Sequence, residues 1–286
     1  MNQFSHLNGK YTKISTSAYN KKMLVISMFF AFSITGCSTL PKHKTEYLAQ
    51  PTTTIDTSQT SLAQMIEPLQ KQHEGLTGYH VLFEPLEALA TRLRLIDRAE
   101  KTLDLQYYIW DNDKVGALAL HALIRAADRG VKVRLLIDDN NAKHTEGIFL
   151  ALAQHPNIEV KLFNPYRFRK HRSLDMVLDL KRINRRMHNK SFIADHQIAL
   201  IGGRNMTNQY YNVSDNYQFS DVDVMLFGTA VHEISDSFDD YWNHEYAYDV
   251  REIVKPKSHR LSYDDLKQQL DEHYQRATVQ NFLDLT

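Results

Sequence analysis

The chain has 286 residues, no formal net charge at pH 7, 43% hydrophobic and 24% charged residues. That balance is globular and gives room for one or two domains, while neutrality excludes the strongly basic character of a general nucleic-acid coat. The single cysteine, Cys37, excludes an intrachain disulfide.

The first element, residues 1–37, reads as a targeting segment. Lys21 and Lys22 precede an apolar run from Met23 to Ile34. The run is short of the roughly 20 residues a membrane span needs and suits the apolar core of a secretory signal. Ile34-Thr35-Gly36-Cys37 resembles the bacterial lipoprotein signal, in which cleavage leaves the cysteine as a lipidated N-terminus. This resemblance implies a periplasm-facing, lipid-anchored protein with Cys37 as the lipidation site. Ser38 points to the outer membrane. An uncleaved short anchor with an incidental cysteine is the alternative. Residues 38–75, rich in Thr, Ser, Gln and Pro, read as a flexible tether.

Residues 76–250 carry the periodic elements. "GYHVLFEP" (78–85) reads as a strand. "LEALATRLRLIDRAEKT" has a helical stripe at Leu86, Leu89, Leu93 and Ile96. "LDLQYYIW" (103–110) is a strand, and "VGALALHALIRAADRG" is a helix stopped by Gly130. "VKVRLLIDD" is a strand with Val131, Val133, Leu135 and Ile137 inward. A helix near 145–154 and the strand "IEVKLF" follow. The β-α-β-α-β order predicts an α/β fold, a mixed sheet flanked by helices on both faces. Past residue 205, "DVDVMLFG" (221–228) reads as a strand, with a helix through Val231, Ile234, Phe238 and Trp242. Residues 251–286 read as a helical tail without further strands.

Two segments carry chemistry. Residues 166–190 hold nine Lys or Arg. By themselves they read as a solvated face; placed directly before a histidine, they also suit an anionic substrate or anionic lipid headgroups. That histidine opens "MHNKSFIADHQIALIGGRN" (187–205). On a strand, alternate side chains share a face, so His188 and Lys190 point the same way. Asp195 opens a tight turn. Gly202 and Gly203 let the backbone turn and approach a ligand, and Asn205 offers an amide beside it. An imidazole, an ammonium and an amide converging on bare backbone form a phosphate cradle, in which Lys190 and Asn205 bind oxygens and the imidazole is left to react.

His188-x-Lys190, Asp195 and Gly202-Gly203-x-Asn205, at this spacing, resemble the HKD signature of the phospholipase D superfamily. "LDLQYYIW", "RAADRGVKVRLLIDDNN", "GGRN" and "DVDVMLFG…SFDDYWN" are further similar to its C-type cardiolipin synthase branch, over roughly residues 75–245. The resemblance implies a two-step displacement at phosphorus. His188 is the nucleophile and forms a phosphohistidine, Lys190 and Asn205 neutralise the oxygens, and a second histidine from a second motif handles the protons. Water as acceptor makes a phospholipase; the glycerol of phosphatidylglycerol makes cardiolipin. An acid normally orients the nucleophile, here Asp221 with Asp223 in reserve, and Asp195 steadies the turn. The family chemistry needs neither metal nor cofactor, and neither HExxH nor CxxC spacing occurs in the sequence.

Gln106 and Tyr108 alternate on their strand and either line the pocket or are ordinary strand residues. Asp138 and Asp139 end a strand where α/β sites open, or act as turn or cap residues. The branch carries two HKD motifs and this sequence has one. Truncation, a symmetric homodimer or a separately supplied second half each accommodates that, truncation being preferred. The expected partners are phospholipid substrate and membrane. A homodimeric nuclease or an inactive half is the rival reading.

Overall fold

The computed structural model describes residues 40–42, 54–214, 216–256 and 261–275. Cys37 and the signal-like segment lie outside the described residues. The chain divides into units 1–39 and 40–286, and the following concerns the second.

Eight strands form one sheet in the order β1-β7-β6-β5-β2-β3-β4-β8. They are β1 (Thr77–Leu82), β2 (Thr102–Tyr107), β3 (Lys132–Asp138), β4 (Ile158–Phe163), β5 (Ser191–Ala194), β6 (Ile198–Gly202), β7 (Asp223–Gly228) and β8 (Ala247–Asp249). β2, β3 and β4 run parallel, and every other pairing is antiparallel. The parallel strands need crossover connections. These are α3 (Lys114–Asp128), which follows β2, and α4 (Glu146–Leu152), which follows β3.

Side-chain alternation splits the sheet into two faces. Leu103, Leu105 and Tyr107 of β2 and Val133, Leu135 and Ile137 of β3 enter the larger core. Over that core lie α1 (Ser61–Gln72), α2 (Pro85–Arg98), α3 and α4. α3 is apolar nearly all round because it is buried nearly all round. The opposite face meets α7 (Thr229–Trp242) through Leu136, Ile193, Ala199, Phe238 and Trp242. Under α7 the sheet carries a buried ionic group. Arg134 pairs with Asp104 at 2.7 Å and Asp239 at 2.7 Å, and its guanidinium lies 4.7 Å from the Phe238 ring centroid. The fold is therefore the expected mixed sheet with helices on both faces.

Three boundaries differ from the sequence reading. Residues 61–72, inside the expected tether, form α1, and Leu62 and Ile66 are buried in the main core. The Thr60 hydroxyl caps this helix by accepting from Ala63 N. A further strand does follow β7: the three residues of β8 pair with β4, which no local alternation signals. In the expected tail, α8 (Val250–Ile253) follows β8, and α9 (Tyr263–Tyr274) buries Leu266 and Leu270 in the same core. His121 of α3 stacks on Tyr274, with ring centroids 4.3 Å apart.

Candidate active site

The site lies where β2 and β3 end and the segment leading into β5 begins. Antiparallel pairing sets Gln106 opposite Ser191, so Tyr108, two residues on, meets the residues just before β5. Its ring centroid is 4.7 Å from that of His188. The strand proper starts at Ser191, later than alternation suggested, yet His188 and Lys190 do come together. Lys190 Nζ is 3.1 Å and 3.3 Å from the two ring nitrogens and donates to His188 O at 2.6 Å. The imidazole is exposed while Lys190 is buried.

Desolvation first and the Lys190 charge second push the His188 pKa below its ordinary value, against the Asp221 carboxylate, which raises it. Desolvation also lowers Lys190, again opposed by Asp221. A neutral imidazole beside a cation is the state a nucleophile needs near neutral pH. The chosen acid and its reserve now separate. Asp223 is fully buried and held by Arg92 at 2.9 Å and Arg204 at 3.3 Å, whereas the half-buried Asp221 is the acid whose field reaches His188 and Lys190.

The room left by Gly202 and Gly203 is filled by these same acids. A Cβ at Gly202 would strike the Asp223 carboxylate, and one at Gly203 the Asp221 carboxylate. Neither glycine has a left-handed backbone. The pair thus admits two of the chain's own carboxylates rather than making a sharp turn.

Asn205 is buried. Its Oδ1 accepts from Ile109 N at 2.9 Å and its Nδ2 donates to the Tyr210 hydroxyl at 3.0 Å. The next residue, Met206, bonds Ile109 and Asp111 through its backbone, stitching this segment to the exit of β2. Asp195 lies in the β5–β6 turn with φ 50°. Its carboxylate accepts from the backbone N–H groups of Glu100, Lys101 and Thr102 at 2.8–3.0 Å, an anchor between the turn and the start of β2. Gln106 is buried and its Oε1 accepts from the Ser191 hydroxyl at 3.2 Å, while Nε2 has no partner among the described residues.

Motif reading missed the support behind His188. Asp138, at the end of β3, accepts from Met187 N at 2.8 Å and pairs with Arg186 at 3.0 Å. Burial, outweighing Arg186, pushes its carboxyl up to about 6. Asn140 donates to the Tyr108 hydroxyl at 3.0 Å and accepts from the Tyr166 hydroxyl at 2.7 Å. The aspartate pair closing a parallel strand was the signal available for this.

A family model described as "Cardiolipin synthase, PLD-like domain" matches residues 93–242. The chain belongs to this family. Cardiolipin synthase C of Escherichia coli (strain K12) is 49% identical over 181 residues, 63% of this chain and 38% of that protein. An uncharacterized protein of Helicobacter pylori (strain J99) is 35% identical over 222 residues, 77% of this chain and 43% of that one. The chain thus spans less than half the length of these two relatives. Among solved structures, the phospholipase D family member Nuc from Salmonella typhimurium matches with a TM-score of 0.44 and 19% identity, over 61% of this chain and 98% of that one. In this PLD-like domain the matched span takes in Tyr108, Asp138, His188, Lys190, Asn205 and Asp221 together. Among the described residues no helix is long and apolar enough to cross a membrane.

Proposed function

We propose that this chain carries the nucleophilic site of a phosphatidyl transferase or phospholipase acting on phospholipid phosphodiesters. Membership of a cardiolipin synthase family supports the substrate class. The observation that carries the chemistry is the exposed imidazole of His188 held 3.1 Å from the Lys190 ammonium, a neighbour that adds to desolvation in lowering its pKa.

In this reading a ring nitrogen of His188 attacks phosphorus and the ester P–O bond breaks, giving a phosphohistidine. Lys190 and the second N–H of Asn205 Nδ2 offer donors to the phosphate oxygens, where charge accumulates, and Gln106, whose buried Nε2 has no partner among the described residues, backs the pocket. Tyr108 packs the ring and borders the substrate, while Gly202 and Gly203 make room for the Asp223 and Asp221 carboxylates. Asp221 stabilises the charge that His188 gains. Asp195 positions the turn. A second histidine, from another HKD motif, protonates the departing alcohol and then deprotonates the acceptor, whose oxygen displaces the imidazole. Water as acceptor yields phosphatidate, and the glycerol of phosphatidylglycerol yields cardiolipin. The second motif comes from the remainder of a longer chain, from a second copy or from a separate half. Cys37 acylation would hold the domain at a bilayer facing the periplasm.

The test gives the full chain phosphatidylglycerol and, separately, plasmid DNA, with a His188→Ala control and the oligomeric state measured in parallel. Cardiolipin or phosphatidate formed by the wild type in a two-motif assembly, and absent in the control, supports the reading. DNA cleavage without lipid turnover replaces it with the nuclease alternative.

A further inference from the structure

The basic segment before His188 is sorted by direction. Most of its arginines turn inward: Arg169 and Arg172 pair with Asp139, Arg182 with Asp175 and Asp179, and Arg186 with Asp138. Both acids of the segment are taken up as well. Asp175 is fully buried and accepts from Phe168 N at 2.9 Å, and Asp179 is also paired with Arg167. What faces water is different. On α5 (Arg172–Leu178) and α6 (Leu180–Ile183), Leu174, Met176, Val177, Leu178 and Leu180 are all exposed, Val177 to 81%. Flanking and following them in the chain are Lys170, Lys181 and Arg185, exposed and paired with no carboxylate among the described residues. An apolar ridge with unpaired cations beside it in the chain, and both acids of the segment withdrawn, complements a surface that is apolar inside and anionic at its face.

We propose that α5 and α6 form an interfacial docking element, which places Leu174, Met176, Val177, Leu178 and Leu180 among the acyl chains of an anionic phospholipid bilayer and Lys170, Lys181 and Arg185 among its phosphates. The inference deepens the proposed function, on which it rests, by naming the surface that meets the lipid. The site is coupled to this element by direct contacts. Arg172 donates to Asn140 O at 3.1 Å, Asn140 holds the Tyr108 hydroxyl, and Tyr108 lies against His188. Arg186, at the end of the segment, shares Asp138 with Met187 N. Docking the ridge therefore presents His188 to the headgroup layer, where the phosphodiester is.

The test places an environment-sensitive fluorophore on a single cysteine at the crest of the ridge, in the full chain carrying Cys37→Ser and Val177→Cys. A second chain with Cys37→Ser and Gln269→Cys, on the exposed side of α9, is the control. Vesicles of phosphatidylglycerol mixed with phosphatidylcholine should shift the 177 probe to the blue, and brominated acyl chains should quench it, while the 269 probe stays unchanged. Adding Lys170→Glu and Lys181→Glu should raise the lipid concentration needed roughly tenfold or more. The local probe separates this contact from any tethering by residues 1–37. An unresponsive 177 probe on vesicle-bound protein overturns the proposal. So does a probe already blue-shifted without lipid in proportion to protein concentration, since a second copy would then cover the ridge. The shift should persist with His188→Gln. A normal shift with no phosphatidyl transfer in a two-motif assembly refutes the reaction but not the docking, and an active enzyme with no shift does the reverse.

Discussion

In the proposed reaction, three neighbours of different kinds would set the reactivity of His188. Tyr108 desolvates one side of the ring, Lys190 opposes its protonation, and Asp221 favours it. The balance matters because a nucleophilic imidazole has to be neutral before attack and cationic in character afterwards. Asp221→Asn removes the one contribution that raises both pKa values. The His188 pKa then falls further, so the ring stays neutral to lower pH and the acidic limb of kcat/KM moves to lower pH. Lys190 likewise loses its proton at lower pH, so the alkaline limb moves the same way. The kcat should fall ~10-fold or more as charge on the imidazole goes uncompensated. A pH–rate profile for the variant checks this, and limbs that stay in place would assign Asp221 a structural role only. At this scale the sequence named His188, Lys190, Asp195, Asn205 and Asp221, because each is tied to the motif by short spacing. It ranked Asp221 above Asp223 by position alone; the physical reason, Arg92 closing on Asp223 from more than a hundred residues away in the chain, exists only in the fold.

At the scale of elements, the β5–β6 hairpin is fixed to the sheet by a side chain. Asp195 takes up three backbone donors at the start of β2, which locks β2 and β5 in register and with it Tyr108 against His188. Asp195→Ala leaves those N–H groups without their acceptor, that of Thr102 in a buried place and those of Glu100 and Lys101 in partly buried ones. It should lower stability by about 3 kcal/mol in urea denaturation and reduce turnover through loss of register. An unchanged denaturation midpoint would contradict the anchoring role. Long periodic elements such as α2, α3 and β3 were readable because burial imposes its own period on sequence. β8 was not, since a three-residue strand becomes one only by pairing with β4. The same limit hid α1, whose Leu62 and Ile66 sit in a Thr- and Gln-rich stretch and acquire a core only from the rest of the fold. The 166–190 segment illustrates the reverse case. Its charge count suggested a uniformly basic face, but tertiary ion pairs absorb most of the arginines and leave an apolar ridge outside.

At the scale of the whole molecule, the one HKD motif in these 286 residues would supply the nucleophile of the proposed displacement, whose second histidine belongs to another HKD motif. His188 is exposed and its supporting side chains lie behind it, an arrangement suited to a site completed by a second motif facing the first. The proposed reaction rests on one bond, between the ring at 188 and phosphorus. Rapid-quench mass spectrometry of the His188 peptide, in an assembly turning over short-chain phosphatidylglycerol, reads that bond directly. The account predicts a phosphatidyl adduct on His188 that appears before product, decays with it and is absent from His188→Gln. Steady turnover with no adduct on His188, or turnover surviving in His188→Gln, would contradict it.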